Sequence, residues 1–214
     1  MSATAPANSE KPNGPRSRKG AVTRARLVEA AEQVFAEHGF LDARISDIAE
    51  RAQLSHGSFY HYFDSKEQIF REVAAAVDER LSAPVGSVIF DADSSATPQE
   101  RIREAMRRHL ESYRAEARIM GVIEQVARYD DHVKALRSAR ARQYADQISA
   151  SIRTLQRRGM ADPGLDPVIA VEVLGAMTAR SAERWLVEGD VDCSFDVGVE
   201  QLTRLFLNAL RLTD

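Results

Sequence analysis

The chain has 214 residues, of which 44% are hydrophobic and 29% are charged, and its net charge is −3. This composition is typical of a folded globular protein with one large or two small domains, and it excludes a chain that is basic or of low complexity throughout. The single cysteine, Cys193, excludes an internal disulfide, so we expect a protein of the reducing cytoplasm.

Residues 1–20 are predicted to form a disordered basic arm. Prolines and glycines recur there without apolar periodicity, and no apolar stretch follows the charges, which argues against a secretory signal peptide. Residues 11–26 contain six basic side chains and no acidic one: Lys11, Arg16, Arg18, Lys19, Arg24 and Arg26. Two interpretations stay open: the arm follows a DNA backbone or enters its minor groove, or it is a solubilising tail.

The first helix is predicted from about Thr23 to Glu37. Its apolar side chains recur at helical spacing, and the pair His38-Gly39 is a typical helix end. The expected inner face comprises Leu27, Ala30, Ala31, Val34 and Phe35.

Residues 44–70 carry the most informative pattern of the chain. A short helix is predicted first, because apolar side chains recur at spacings of three and four residues at Ile45, Ile48, Ala49 and Ala52. A tight break follows, and the Ser55 hydroxyl is placed to cap a second helix. Phe59 and Phe63 lie four residues apart and can be buried together. The remaining polar face comprises His56, Ser58, Tyr60 and His61.

This order of elements is that of a helix-turn-helix reader of DNA, whose second helix presents its first residues to base edges. Gly57 leaves room for the backbone to approach the duplex. Lys66 lies in the first turn of the next helix, where a cation opposes the helix dipole, so a phosphate is its expected partner. Taken singly, His56 and Tyr60 could be an ordinary surface histidine and a core aromatic with a wet hydroxyl.

The rest of the chain is predicted to be helical, so the fold class is all-α. The helix from Lys66 is expected to stop before Pro84, and residues 84–97 form a turn-rich linker. Thr97 to Glu100 is a capping box that opens the next helix. Later helices are predicted after a break at Gly121, from Asp130 or Asp131, from Asp166 to about Val187, and from Phe195 to Leu212.

The last two helices are predicted to form an interface between two copies of the chain. One carries small side chains that allow close contact, and the other is apolar on more than one side and needs partners on both. The expected contact residues are Gly175, Ala179, Ala182, Leu202, Phe206 and Leu210. The alternative is that a single chain buries all of them.

Over about its first third, the sequence resembles the tetracycline-repressor (TetR) family of transcription regulators. The resemblance is carried by residues 23–39, by the motif from Ile45, and by Gly57 to Phe63 followed by Ser65-Lys66-Glu67. It implies a DNA-binding domain of residues 21–66 and a helical effector-binding and dimerisation domain of residues 67–214.

The resemblance also implies a homodimer that binds a palindromic double-stranded DNA operator and releases it when a small-molecule effector binds. The residues expected to contact DNA are Arg44, Ser55, His56, Gly57, Ser58, Tyr60, His61 and Lys66. Among them, Tyr60 and Lys66 are expected on phosphates.

Two positions depart from the family pattern. Gln53 stands where the family usually has glycine, so a positive φ there would carry a side-chain penalty. Arg44 stands where the family tends to have a capping hydroxyl. Arginine cannot cap in that way, although it can reach a phosphate as a cation.

By resemblance, the middle helices hold a pocket for a hydrophobic small molecule. The candidate lining residues are Met106, Tyr113, Met120, Tyr129, Tyr144, Met177 and Trp185. Methionines and aromatics at helical spacing are more often ordinary core, so both readings stay open.

The sequence lacks the motifs of catalytic, metal and phosphate-binding loops, and we expect no enzyme activity, metal, cofactor or membrane partner. Two alternatives to a repressor remain. One is an all-helical small-molecule-binding or enzymatic protein whose N-terminal motif contacts protein, and the other is an activator of the same family.

Overall fold

The structure, a computed structural model, describes residues 18–89 and 95–212. These residues form nine α-helices and one π-helical segment, with no strand among them, so the all-α prediction is confirmed. Within the same two ranges, no helix is both long enough and apolar enough to cross a bilayer.

The N-terminal part consists of four helices: α1 (Arg18–Asp42), α2 (Ile45–Arg51), α3 (His56–Phe59) and α4 (Lys66–Ile89). Helix α1 begins five residues earlier than predicted, so the last three residues of the predicted arm are helical. Residues 1–17 of that arm lie outside the described part. Helix α1 changes direction at Gly39, whose φ of 74° lies in the left-handed region that favours glycine.

The predicted end of α4 before Pro84 is wrong, because the helix continues through the proline to Ile89. A proline in a helix interior removes one backbone hydrogen bond and crowds the preceding turn. Leu81 and Val85 are buried on either side of it, and burial of their apolar surface stabilises the continuous helix. Of the predicted linker, only residues 95–97 are described outside a helix, and residues 90–94 lie outside the described part.

The second half contains α5 (Pro98–Ala115), α6 (Ala117–Ala127), α7 (Asp131–Arg157), α8 (Pro167–Ala182), the π-helical segment (Glu183–Val187) and α9 (Phe195–Leu210). The break predicted at Gly121 falls instead at Glu116, between α5 and α6. Gly121 lies within α6, where a Cβ atom would stand 3.1 Å from a methyl group of Val187.

The predicted capping box is confirmed at the start of α5. The Thr97 N–H donates to Glu100 Oε2 at 2.8 Å, and the Glu100 N–H donates to Thr97 Oγ1 at 3.2 Å. Together these bonds satisfy two amide groups that a helix start leaves without an intrahelical partner.

One continuous hydrophobic core runs from Leu27 of α1 to Leu202 of α9. At its N-terminal end the ring of Phe70 from α4 packs edge-on against Phe35 and Phe40 of α1, with centroid distances of 5.0 and 4.9 Å. The predicted division at residue 66 is therefore crossed by a shared core.

Ion pairs also join the two halves. Arg80 of α4 donates to Glu32 of α1 at 2.7 Å and to Glu116, at the start of α6, at 2.6 Å. The Glu116 and Glu32 hydrogen bonds raise the pKa of Arg80 above its already high usual value. Helix α4 is thus tied at one side chain to both the N-terminal helices and the C-terminal bundle.

Candidate nucleic-acid interface

The second helix of the motif, α3, is a single turn that two buried aromatic side chains hold against the core. As predicted, Ser55 is its N-cap, and its hydroxyl accepts from the Ser58 N–H at 3.2 Å. Phe59 and Phe63 are buried with ring centroids 5.7 Å apart. These anchors fix which side of the turn faces water.

The opposite side carries the predicted polar face. His56, Tyr60 and His61 are exposed, with Tyr60 at 49%, and Ser58 is half-buried with its hydroxyl 2.7 Å from that of Ser55. The imidazole of His56 packs edge-on against the ring of Tyr60, with a centroid distance of 5.5 Å. The face therefore presents three rings and the hydroxyl groups of Ser58 and Tyr60, which can donate to base edges or phosphates.

Gln53 in the turn of the motif has a φ of 54°, so the side-chain penalty expected at this position is present in the structure. Arg44 is the N-cap residue of α2, and its side chain makes no capping hydrogen bond. Its guanidinium is exposed and available to an anion.

The ammonium group of Lys66 is not free to bind a phosphate, contrary to the prediction. Its ammonium group donates to three backbone carbonyls at the end of α1, those of Phe40 at 2.7 Å, Leu41 at 3.0 Å and Ala43 at 2.9 Å. An ammonium group has three donors, so all are used within the chain. The phosphate role expected for Lys66 is therefore withdrawn, and the partner that offsets its unfavourable place in the helix dipole is the carbonyl end of α1.

Arg51, a third cation of the motif, is also occupied. Its guanidinium forms a two-pronged ion pair with Glu37 of α1, with N–O distances of 2.7 and 2.6 Å. The hydrogen bond from Arg51 is the main reason that the pKa of the Glu37 carboxyl lies below its usual value. Glu37 and Arg51 lie fourteen residues apart, so helical periodicity gave no signal for this pairing.

The predicted pocket residues fall into two groups. Met106, Tyr113 and Met120 are buried in the main core, and Met177 and Trp185 pack against it half-buried. Tyr129, in contrast, is 57% exposed at the end of α6, and the Tyr144 hydroxyl donates to the Ser82 carbonyl at 3.0 Å. Neither of these two tyrosines belongs to the main core, where the other five lie or pack.

Tyr113 has the most unusual environment of this set. Its side chain is buried, and among the described residues its hydroxyl has no hydrogen-bond partner. Burial raises the pKa of Tyr113 well above its usual value, so the group stays a neutral donor. One turn earlier, burial lowers the pKa of His109, and its ring lies 6.2 Å from that of Tyr113.

A groove between α1 and α4 lies apart from the predicted pocket residues. It is an open groove of about 660 Å³ bordered by Arg24, Val28, Glu72 and Arg80. None of the predicted pocket residues lines it. Within residues 18–89 and 95–212, no three His, Cys, Asp or Glu side chains come together as a metal site.

The predicted contact residues between two copies need correction. Ala182, Leu202 and Leu210 are buried within one chain. Ala182 and Leu202 belong to the main core, and Leu210 packs in a second cluster with Val171 and Leu174, so they cannot lie on an outer surface. Gly175 and Ala179 are exposed and Phe206 is half-buried.

A different apolar surface is exposed on the same two helices. Ile169 and Val173 of α8 are 63% and 60% exposed, and Leu205 of α9 is 53% exposed. Ile169 and Val173 lie on one helix face four residues apart, with Ala176 three residues further. The sequence already shows the last helix to be apolar on more than one side, whereas on α8 the prediction followed the small residues and not Ile169 and Val173.

Known proteins that resemble this chain share its N-terminal helix-turn-helix region. The family model of bacterial regulatory proteins of the tetR family matches residues 27–73. The HTH-type regulator YdgC of Bacillus subtilis is 38% identical over 73 residues, which span 34% of this chain and 37% of that relative. The HTH-type transcriptional repressor KstR2 of Rhodococcus jostii is 27% identical over 195 residues, which span 87% of this chain and 90% of that relative.

Among solved structures, the fatty acid degradation regulator FadR from Bacillus halodurans superposes with a TM-score of 0.73 at 19% identity, covering 96% of this chain and 100% of that one. The fold and the exposed face of α3 define a helical protein with an N-terminal helix-turn-helix domain. In its motif and its overall architecture the chain is therefore similar to the TetR family of bacterial regulators.

Proposed function

We propose that this chain is a homodimeric transcription repressor that binds a palindromic operator and releases it when a small molecule binds among the C-terminal helices. The observation that carries the proposal is the exposed face of α3, where His56, Tyr60 and His61 stand out from a turn held by buried Phe59 and Phe63. The relative with the longest match reported above is named a repressor, which supports that sign of regulation.

The first experiment selects binding sites for the full-length protein from random duplex DNA, and then measures affinity by fluorescence anisotropy. In the His61→Ala variant we expect sequence preference to weaken at the contacted base pair, because a lost base contact costs about 1–3 kcal/mol. His132→Ala removes an exposed histidine from α7 and serves as the control. Failure to enrich any sequence would contradict the DNA-binding proposal.

The exposed apolar surface of α8 and α9 supports the homodimer in this proposal. A two-fold dimer presents two copies of α3 to half-sites about one helical turn of DNA apart, or somewhat further. Ile169, Val173 and Leu205 are apolar side chains that a second copy would cover.

Tyr113 is the side chain we propose as the polar anchor of the effector site. A buried hydroxyl without a partner costs free energy that a ligand oxygen can recover, and Met106 and Met120 supply soft apolar surface nearby. Tyr113→Phe should leave operator affinity unchanged while removing the response to a compound found by a thermal-shift screen of the wild type. An unchanged response in Tyr113→Phe would place the effector elsewhere.

Arg80 and Arg71 offer a route by which an effector could move the DNA-binding helices. Arg71 of α4 pairs with Asp130, the N-cap of α7, at 3.3 Å, while Arg80 reaches Glu116 at the start of α6. An effector shifts DNA binding only through different affinity for two arrangements of the protein. The sign of regulation is read from target transcript in a deletion strain, where a rise indicates a repressor and a fall an activator.

A further inference from the structure

A partly buried ion pair joins α6 to α7. Nη1 of Arg137 lies 2.6 Å from Oε1 of Glu124, and the two side chains are 25% and 27% exposed. Three residues further along α7, Arg140 pairs with Glu79 of α4 and lies 3.9 Å from the carboxylate of Asp78. Since residues three apart share one face of a helix, both cations of α7 lie on the same face.

Asp78 is the carboxylate that these ion pairs leave without a close partner. Among the described residues it accepts no hydrogen bond, and Nε of Arg140 stays 3.9 Å away. Its side chain is only 22% exposed, and burial raises the pKa of the carboxyl above its usual value. A carboxylate in this environment gains free energy from an added donor, and a charged donor forms the stronger bond.

The hydroxyl of Tyr113 lies near the same ion pair. The pKa of Asp78 and that of Tyr113 are both raised, mainly by burial. The charge of Glu124 adds to both shifts, and that of Arg137 opposes both. Because the effect of a charge falls with distance, this ion pair lies close to both groups. A carboxylate without a donor and a buried hydroxyl without a partner in the described part of the chain therefore share one surrounding.

The charges around Asp78 and Tyr113 favour a ligand that is a cation. Each arginine that acts on these two groups already has a carboxylate partner. The pairs are Arg137 with Glu124, Arg140 with Glu79, and Arg180 with Glu183. Burial lowers the pKa of His109, so its imidazole adds no positive charge at neutral pH. Within the described residues an anionic ligand would meet engaged cations here, whereas a cationic ligand would meet the carboxylate of Asp78.

We propose that the effector is an organic cation, an apolar molecule whose protonated amine binds the Asp78 carboxylate beside an oxygen atom that the Tyr113 hydroxyl binds. Apolar side chains of the main core, among them Met106 and Ile123, belong to the same cluster as Tyr113 and suit the apolar part of such a molecule. The inference rests on the proposed function, because it names the chemical class of the effector.

The test compares three ligands that share one apolar chain and differ in charge: octylamine, octanol and octanoate. Isothermal titration calorimetry measures their binding to the full-length protein at neutral pH. We expect octylamine to bind at least about tenfold more tightly than octanoate, because a hydrogen bond to a charged group stabilises a complex by about this factor or more. Equal or tighter binding of octanoate, or no binding of octylamine, would overturn the proposal.

Three variants test the part of Asp78. Asp78→Asn should lower the affinity for octylamine about tenfold or more, while little change for octanol would show that the variant is folded. Asp78→Glu keeps the charge and should still prefer octylamine to octanoate. Asp146→Asn removes an exposed carboxylate from α7 and should bind all three ligands as the wild type does. Wild-type affinity for octylamine in Asp78→Asn would contradict the assignment of this carboxylate.

Failure of this inference can be told apart from failure of the proposed function. A protein that selects an operator from random DNA and yet prefers octanoate remains a DNA-binding regulator and loses the cationic effector. A protein that enriches no DNA loses the proposed function, whereas the preference among the three ligands is measured without DNA.

Discussion

Lys66 shows how one side chain can be assigned the wrong partner from its sequence position. Its ammonium joins the first turn of α4 to the carbonyl end of α1, and it also lies 4.8 Å from the centroid of the Phe40 ring. The motif is therefore held against α1 by a lysine whose charge is directed inward.

Lys66→Met should lower the free energy of unfolding by about 1–3 kcal/mol, because carbonyl groups at the buried positions Phe40 and Ala43 lose their donor. Urea denaturation measures the change. Lys134→Met, at an exposed site on α7, should leave stability within experimental scatter. Wild-type stability combined with a flatter salt slope of DNA binding would instead restore Lys66 as a phosphate contact.

Gln53 adopts a backbone conformation that favours glycine. A side chain in the left-handed region costs about 1–2 kcal/mol relative to the right-handed one, and glycine avoids this cost. Gln53→Gly should therefore raise the free energy of unfolding by about 1 kcal/mol. Gln143→Gly, within the exposed face of α7, should lower it by roughly 0.5–1 kcal/mol. A loss of stability in both variants would show that the strain at Gln53 has no energetic weight.

At the scale of elements, the π-helical segment after α8 is fixed by stacking. The ring of Trp185 stacks on that of Phe195 of α9 with a centroid distance of 5.6 Å, and its Nε1–H donates to the Cys193 carbonyl at 3.3 Å. The guanidinium of Arg114 of α5 lies over the Phe195 ring, 3.9 Å from its centroid. Trp185 also lies directly over Gly198, where a Cβ atom would stand 2.1 Å from the indole ring.

Gly198→Ala should therefore displace the indole and cost about 1–3 kcal/mol through overpacking. Trp185 is the single tryptophan of the chain, so its emission maximum should move to longer wavelength as the ring gains water. Gly175→Ala is the matched control, because a Cβ atom there meets nothing within 4 Å. An unshifted emission spectrum in Gly198→Ala would mean that the contact relaxes without moving the indole.

The elements that the sequence predicted correctly are specified by neighbours a few residues apart. Ser55 and Thr97 cap their helices through bonds that span three residues, and Phe59 and Phe63 are paired by helical spacing. The failures involve distant partners. Lys66 bonds to residues more than twenty positions earlier, and the burial of Leu210 depends on packing against other helices, neither of which helical spacing encodes.

For the molecule as a whole, we propose that the exposed apolar surface of α8 and α9 forms the interface between two copies of the chain. Val173→Asp places a carboxylate on a side chain that one chain leaves 60% exposed, so the fold of the single chain should tolerate it. At a dimer interface an unpaired buried charge is costly. We expect dimer affinity to fall at least about tenfold, which corresponds to about 1.4 kcal/mol.

Sedimentation measures this change as a shift from twice the chain mass of 23.8 kDa toward the single-chain value. Leu136→Asp, which alters another partly exposed apolar side chain on α7, should leave the distribution unchanged. A Val173→Asp protein that sediments as the wild type would exclude this surface as the interface.

The core shared by the N-terminal and C-terminal helices affects how genetic variants of this protein should be interpreted. Phe35 and Phe70 belong to the same packed cluster as side chains of α5, α6 and α9, so damage anywhere in the cluster lowers the folded fraction of the whole chain. A loss of 1–2 kcal/mol can reduce cellular abundance several-fold. Under the proposed function, a scarce repressor leaves its promoter active, as a repressor that cannot bind DNA does. Constitutive expression therefore identifies a DNA-binding mutant only after the amount of protein in the cell has been measured.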